Sequence, residues 1–176
     1  MLIRPEEMKT LIKSLPVIKA AHDSIKSELE RLVENIDDSI YAACMNGSGS
    51  GGGIPATGSV SDKTGKIALK IQYSTRSDIK QLQRDIVILG DIIGGVGGSL
   101  KILTKMQRQI IALYYKETGK SSWSEVSKEL KEQGIYFNDR HIRRIFEYGI
   151  RQMITATQIT VDTYQEVMEI MDGRGG

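Results

Sequence analysis

One short stretch concentrates side chains suited to gripping a polyanion. Arg140, His141, Arg143 and Arg144 follow Asn138 and Asp139, and Arg151 lies two helical turns further on. A guanidinium presents a rigid fork of donors that matches a phosphate or the O6/N7 edge of guanine. Asn138 is a good helix cap, and the helix it starts would carry Ile142, Ile145, Phe146, Ile150 and Met153 at core-facing spacing. Arg140, Arg143 or Arg144, Glu147 and Arg151 then share a stripe opposite that apolar set. Over 138–154, four arginines against two carboxylates leave a local charge of +2. The amino end of such a helix also attracts phosphate. An arginine-bearing helix taken alone is an ordinary solvated face. What argues for more here is the density of arginines and the place of the segment in a larger pattern.

That pattern covers 104–154. Thr104 precedes a helical stretch with apolar Met106, Ile110, Ile111, Leu113, Tyr114 and Tyr115, expected to end at Gly119. Ser122 and Glu125 have the spacing of a capping box for a second helix, whose apolar side is Trp123, Val126 and Leu130. Gly134 breaks that helix in a tight connection to Asn138. Three short helices with a glycine-containing turn before the last predict a tri-helical helix-turn-helix. The predicted DNA contacts are Asn138, Arg140, His141, Arg143, Arg144 and Arg151. Lys105, Arg108 and Lys116, on the first of the three helices, are secondary candidates for contacts with phosphate or a protein partner.

Upstream, Pro5 suits a helix start and Pro16 is expected to interrupt an early helical stretch. Apolar residues at Ile18, Ile25, Leu29, Leu32, Ile36 and Ile40 predict a helical region over 1–45. Five of the seven residues 47–53 are glycine, so 46–60 reads as a flexible linker. A phosphate-binding loop is disfavoured there, because Gly65-Lys66 lacks the preceding glycine and the following Ser or Thr. Ser61 is positioned to cap the next helix, over 61–103. In that helix, Ile79, Ile86, Ile93 and Leu100 occupy a positions of a heptad, and Leu82, Leu89, Val96 and Leu103 the d positions. The seam predicts a hairpin with the first helix, a homodimer through 79–103, or both at once in a dimeric four-helix arrangement. Gly90, Gly94, Gly95, Gly97 and Gly98 fall off the seam, as a site of close backbone approach or a hinge. The tail, 155–176, is acidic through Asp162, Glu166, Glu169 and Asp172. Val161, Tyr164, Met168 and Met171 predict one more amphipathic helix there.

The chain has 176 residues, 24 basic and 22 acidic, a net of +2. Bulk charge therefore does not mark a nucleic-acid protein, and any such role must come from local placement. One cysteine, Cys44, excludes a disulfide scaffold; with two histidines it leaves no Cys/His metal set. Cys44 and His22 are expected to pack structurally. Adjacent carboxylates such as Glu6-Glu7 and Asp37-Asp38 come with no nucleophile or metal set, so no enzyme, no cofactor and no metal are expected. Charges at Arg4, Glu6, Glu7, Lys9 and Lys13 argue against a leader, and no membrane span is expected. The expected setting is the cytoplasm, in association with the nucleoid.

A resemblance sharpens this reading. The stretches Thr104-Lys-Met-Gln-Arg-Gln-Ile-Ile-Ala-Leu-Tyr-Tyr115, Ser122-Trp-Ser-Glu-Val126 and Asn138-Asp-Arg-His-Ile-Arg-Arg-Ile145 resemble the C-terminal DNA-binding domain of sigma factors. The layout as a whole is similar to the RinA-type and ArpU-type phage late-gene activators, which join an N-terminal helix, a linker, a Ser-Asp helix start (here Ser61-Asp62) and this domain. The resemblance implies an all-α protein, a helical hairpin or coiled-coil region joined to a helix-turn-helix. It implies transcription activation in phage or prophage, with promoter double-stranded DNA and bacterial RNA polymerase as partners. Arg140, His141, Arg143 and Arg144 would then read DNA, and Trp123 would be a buried structural residue. Two alternatives stand beside it: a phage small terminase subunit recognising packaging-site DNA, and an interaction module whose arginines bind an acidic protein.

Overall fold

A computed structural model describes the backbone of residues 1–46, 63–116 and 121–173, and the side chains within them except those of 36–46 and 63–75. Six helices form among the described residues: α1 Pro5–Asn46, α2 Lys63–Ile102, α3 Lys105–Tyr114, α4 Trp123–Glu132, α5 Asp139–Thr157 and α6 Val161–Asp172. The expectation of an all-helical protein holds for them. The glycine-rich stretch beyond Asn46 and the start at Ser61 lie outside the described residues, as do the side chain of Cys44 and the end expected at Gly119. The chain divides into two compact units, Met1–Ala21 with Ile88–Gly176, and His22–Val87. Among the described residues, no helix is long and apolar enough to cross a membrane.

α1 begins at Pro5, where a missing N–H costs nothing. The buried carboxylate of Glu7 closes that end. It accepts from the Arg4 amide at 2.7 Å and from the Arg4 guanidinium at 3.1 and 2.7 Å. These bonds hold the Glu7 carboxyl below the usual carboxylate range. The interruption expected at Pro16 does not occur, since α1 runs straight through it. Proline there removes one donor, but Leu11, Ile12 and Ile18 are buried on either side of it, and that burial keeps the helix going.

The heptad of α2 is present, with its buried line rotated from the expected one. Leu82, Leu89, Val96 and Leu103 are buried, but Ile79, Ile86, Ile93 and Leu100 are only half-buried. The second buried line is Asp85, Ile92 and Ser99. Together these positions alternate steps of three and four from 82 to 103. A globular helix buries a face about 100° wide, broader than a two-residue seam. The polar members are satisfied locally: Gln81 donates to Asp85 at 2.8 Å, and the Ser99 hydroxyl to the Val96 carbonyl at 2.8 Å. The d line is buried within the single chain. The helix passes through all five glycines without a break. A Cβ at Gly94, Gly97 or Gly98 would meet nothing within 4 Å, whereas one at Gly95 would touch Ile159 Cδ1 at 3.8 Å.

In the larger unit, α3, α4 and α5 converge on an aromatic cluster. Tyr114 stacks on Trp123 with centroids 4.3 Å apart, and Phe146 lies 4.9 Å from Tyr114 and 5.1 Å from Trp123. Ile110, Ile111, Val126, Leu130, Ile142, Ile150 and Met153 complete the core. The N-terminal residues tie in to the other end of α5. The Ile3 amide donates to Ile159 at 3.1 Å and the Val161 amide to Met1 at 3.0 Å, bracketing the Leu2–Thr160 bridge. α6 follows, capped by the Thr160 hydroxyl on the Thr163 amide, with Val167 buried. Thermal and urea unfolding should separate two neighbours on α5. Phe146→Ala, at a residue 1% exposed, should cost about 3–5 kcal/mol. Tyr148→Ala, at a residue 61% exposed, should stay within about 0.5 kcal/mol of the parent.

Candidate nucleic-acid interface

The backbone that delivers α5 is built from three local devices. Ser122 and Glu125 form the expected capping box at α4, the Glu125 amide donating to the Ser122 hydroxyl and the Ser122 amide to the Glu125 carboxylate. At the other end of α4, the Gly134 amide donates to the Lys131 carbonyl and the Ile135 amide to the Leu130 carbonyl, both at 2.9 Å. That paired pattern with Gly134 at φ +79° is a Schellman stop, in which glycine takes the left-handed turn without a Cβ clash. Asn138 then caps α5, its side-chain oxygen accepting from the His141 amide at 2.8 Å. Ser127 steadies the connection by donating to the Phe137 carbonyl at 3.3 Å.

The expected stripe is exposed. Arg140, His141, Arg143, Arg144, Arg151 and Asn138 all face solvent. Arg140, Arg143, Arg144, Glu147, Tyr148 and Arg151 line one shallow open hollow along α5. Arg140, Arg144 and Arg151 lie within about 40° of one another round the helix, at 100° per residue. Among the described residues, no hydrogen bond or ion pair engages these three guanidinium groups. Glu147 shares the stripe and lies at pairing distance in sequence from Arg143, Arg144 and Arg151. It bonds elsewhere: Lys9 of α1 reaches its carboxylate at 2.8 Å and Glu6 at 2.9 Å, with the ammonium 5.8 Å from the Phe146 ring centre. Partial burial pulls the Lys9 pKa down, but the bonds to Glu147 and Glu6 outweigh it and leave the ammonium held above its usual range. The neighbouring Tyr115 phenol is pushed up by burial and by the charges of Glu6 and Glu147.

Other expected residues have structural occupations. The Arg143 guanidinium sits over the Trp123 indole, 5.6 Å from its centre, bridging α5 to α4. Trp123, expected to be buried, is half-buried, with its ring stacked on Tyr114. Arg108 donates to the Lys101 carbonyl at 3.0 Å, closing the end of α2. Lys116 is paired with Glu129. Lys105 is exposed and lines a hollow with Met106, Ala112 and Ile135. His22 is half-buried and contacts Asp23 at 3.0 Å.

Two residues of the face escaped the sequence reading. Tyr148, four residues after Arg144, projects beside the arginines, and helical spacing alone would have placed it there. Lys9 carries no such signal, since its partner lies 138 positions away. Among the described residues, no group of three His, Cys, Asp or Glu is arranged to hold a metal.

Equilibrium unfolding checks how α5 is set. Asn138→Ala should cost about 1 kcal/mol, and Asn138→Gly only a few tenths, because glycine tolerates the capping conformation. Gly134→Ala should cost about 1–2 kcal/mol, the penalty for a Cβ in the left-handed region. No loss in Asn138→Ala would show that the cap contributes nothing. Compared with protein-family models, with curated proteins and with solved structures, the chain finds no match in any of the three.

Proposed function

We propose that this protein is a sequence-specific double-stranded-DNA-binding transcription activator of phage or prophage genes, working with bacterial RNA polymerase. The observation that carries the DNA reading is the line Arg140–Arg144–Arg151, whose guanidinium groups are left to solvent while Glu147 is drawn off by Lys9. Arginines at i and i+4 repel each other. An aligned set without carboxylate partners is therefore a standing cost in the free protein, and phosphates or guanine edges would offset it. The capped amino end of α5 lies at the same place, where the helix dipole favours an anion.

In this reading Arg140 and Arg144, near the start of α5, contact base edges, with His141 and Asn138 beside them. Arg151, two turns on, holds a phosphate. Arg143 adds charge from its seat on Trp123. Activation and the polymerase partner rest on the likeness to sigma-type and RinA- or ArpU-type domains. Lys105 on its mixed apolar hollow is the residue of that group best placed for a protein contact.

Fragments of phage and host DNA retained by the protein, sequenced with and without RNA polymerase, test the reading. Enrichment upstream of an operon, sharpened by polymerase, is the expected result. Enrichment at a packaging end, indifferent to polymerase, would assign the terminase role instead, and no enrichment would remove DNA altogether. On a selected site, Arg144→Ala should weaken binding by about 1–3 kcal/mol and relax the choice of base at one position. Arg151→Ala should weaken all sequences alike and reduce the salt slope by about one.

A further inference from the structure

Beside the arginine line the surface changes character. A second shallow hollow opens between the start of α3 and the middle of α5, with Met106, Gln107, Arg144, Ile145 and Tyr148 in its lining. Arg144 and Tyr148 belong to both hollows, so they form the ridge between them. Met106 and Ile145 are half-buried, and the Tyr148 ring stands well out from the helix. The result is an apolar notch walled on one side by a guanidinium.

Such a notch suits a ligand that is anionic overall and carries a small apolar group at a fixed place. Duplex DNA meets both conditions. In the major groove, the apolar group that a base pair displays is the C5 methyl of thymine, and side-chain carbon is what receives it. Spacing agrees as well. Residues one helical turn apart lie about 5–6 Å apart, between one and two of the roughly 3.4 Å steps between base pairs. An arginine on one pair would leave the tyrosine over a neighbouring pair.

We propose that the hollow formed by Met106, Ile145 and Tyr148 is a thymine-methyl site, so that an A·T pair adjoins the pair contacted by Arg144. Tyr148 is a specificity-determining residue here, acting through its ring rather than its hydroxyl. The inference rests on the reading of α5 as a DNA-recognition helix.

Its test alters the DNA rather than the fold. In a duplex selected by the full chain, each thymine is replaced singly by deoxyuridine, which removes one methyl and keeps every base-pairing group. One position should weaken binding about three- to five-fold, the worth of one methyl leaving an apolar contact. That loss should disappear in Tyr148→Ala and persist in Tyr148→Phe. Insensitivity at every thymine, or a loss that Tyr148→Ala retains in full, would overturn the methyl site and leave DNA recognition standing. If no duplex is bound selectively, the DNA reading itself falls and the methyl site with it.

Discussion

Phe146 sits where three helices meet, its ring centre 4.9 Å from Tyr114, 5.1 Å from Trp123 and 6.0 Å from Tyr115. Aromatic pairs at such distances each contribute about 0.5–1.5 kcal/mol beyond the area they bury. Their larger consequence is angular. With Phe146 locked inward, helix geometry puts Arg144 about 160° and Arg140 about 120° from it round the helix, on the outward side. Arg151, five residues later, falls between them. The direction in which the arginines point is thus settled by a ring that never touches solvent, and by Tyr114 and Trp123, which hold that ring from α3 and α4.

The N-terminal residues complete what the three helices leave undone. The bridge between Leu2 and Thr160 fastens the start of the chain to the junction of α5 and α6, and this places Lys9 beside Glu147. The Lys9 side chain is 20% exposed and the Glu147 side chain 43%. The pair is therefore partly screened by water, and its worth to stability is modest. Its effect on the surface is larger. Without Lys9, Glu147 would be the natural partner of Arg143, Arg144 or Arg151, since i, i+3 and i, i+4 pairs face each other on a helix. Folding α1 against α5 removes the one carboxylate that the sequence places within the stripe.

Local signals were legible in the sequence and distant ones were not. The Ser122–Glu125 box, the Asn138 cap and the Gly134 stop each depend on a few consecutive residues, so residue type and spacing were enough to find them. The core of α5 was legible for the same reason, save that Ile145 is only half-buried and that Gly149 was omitted: it is buried against Gln107 and Ile111, where a missing side chain lets α3 come close. The seam of α2 misled because the apolar residues fill the a and d lines, whereas the line buried beside d, Asp85, Ile92 and Ser99, is mostly polar. Pattern alone cannot tell which pair of lines is inside when Asp85 and Ser99 satisfy themselves along their own helix. Pro16 misled for a related reason. Its local cost was visible, but the burial of Leu11, Ile12 and Ile18 that overrides it comes from tertiary packing. The Lys9–Glu147 pair has no local signature at all.

The charge arrangement bears on whether the stripe is only a solvated face. Surface helices in free proteins commonly alternate charge so that i, i+4 partners neutralise each other. Elsewhere the chain follows that habit: Lys9 pairs with Glu6 and Arg4 with Glu7, each three residues apart. On α5 the habit fails where it would be easiest to satisfy. Asp139 stands four residues before Arg143, which is turned toward Trp123, and Glu147 is turned toward Lys9. Both carboxylates of the helix are within reach of arginines, yet among the described residues neither is paired with one. Packing contacts determine where Arg143 and Glu147 go, and they leave Arg140, Arg144 and Arg151 as a row of uncompensated cations beside the exposed Tyr148 ring. A face built this way costs the free protein some stability through like-charge repulsion. It gives back affinity only to something that brings negative charge in a line and apolar groups at intervals along it.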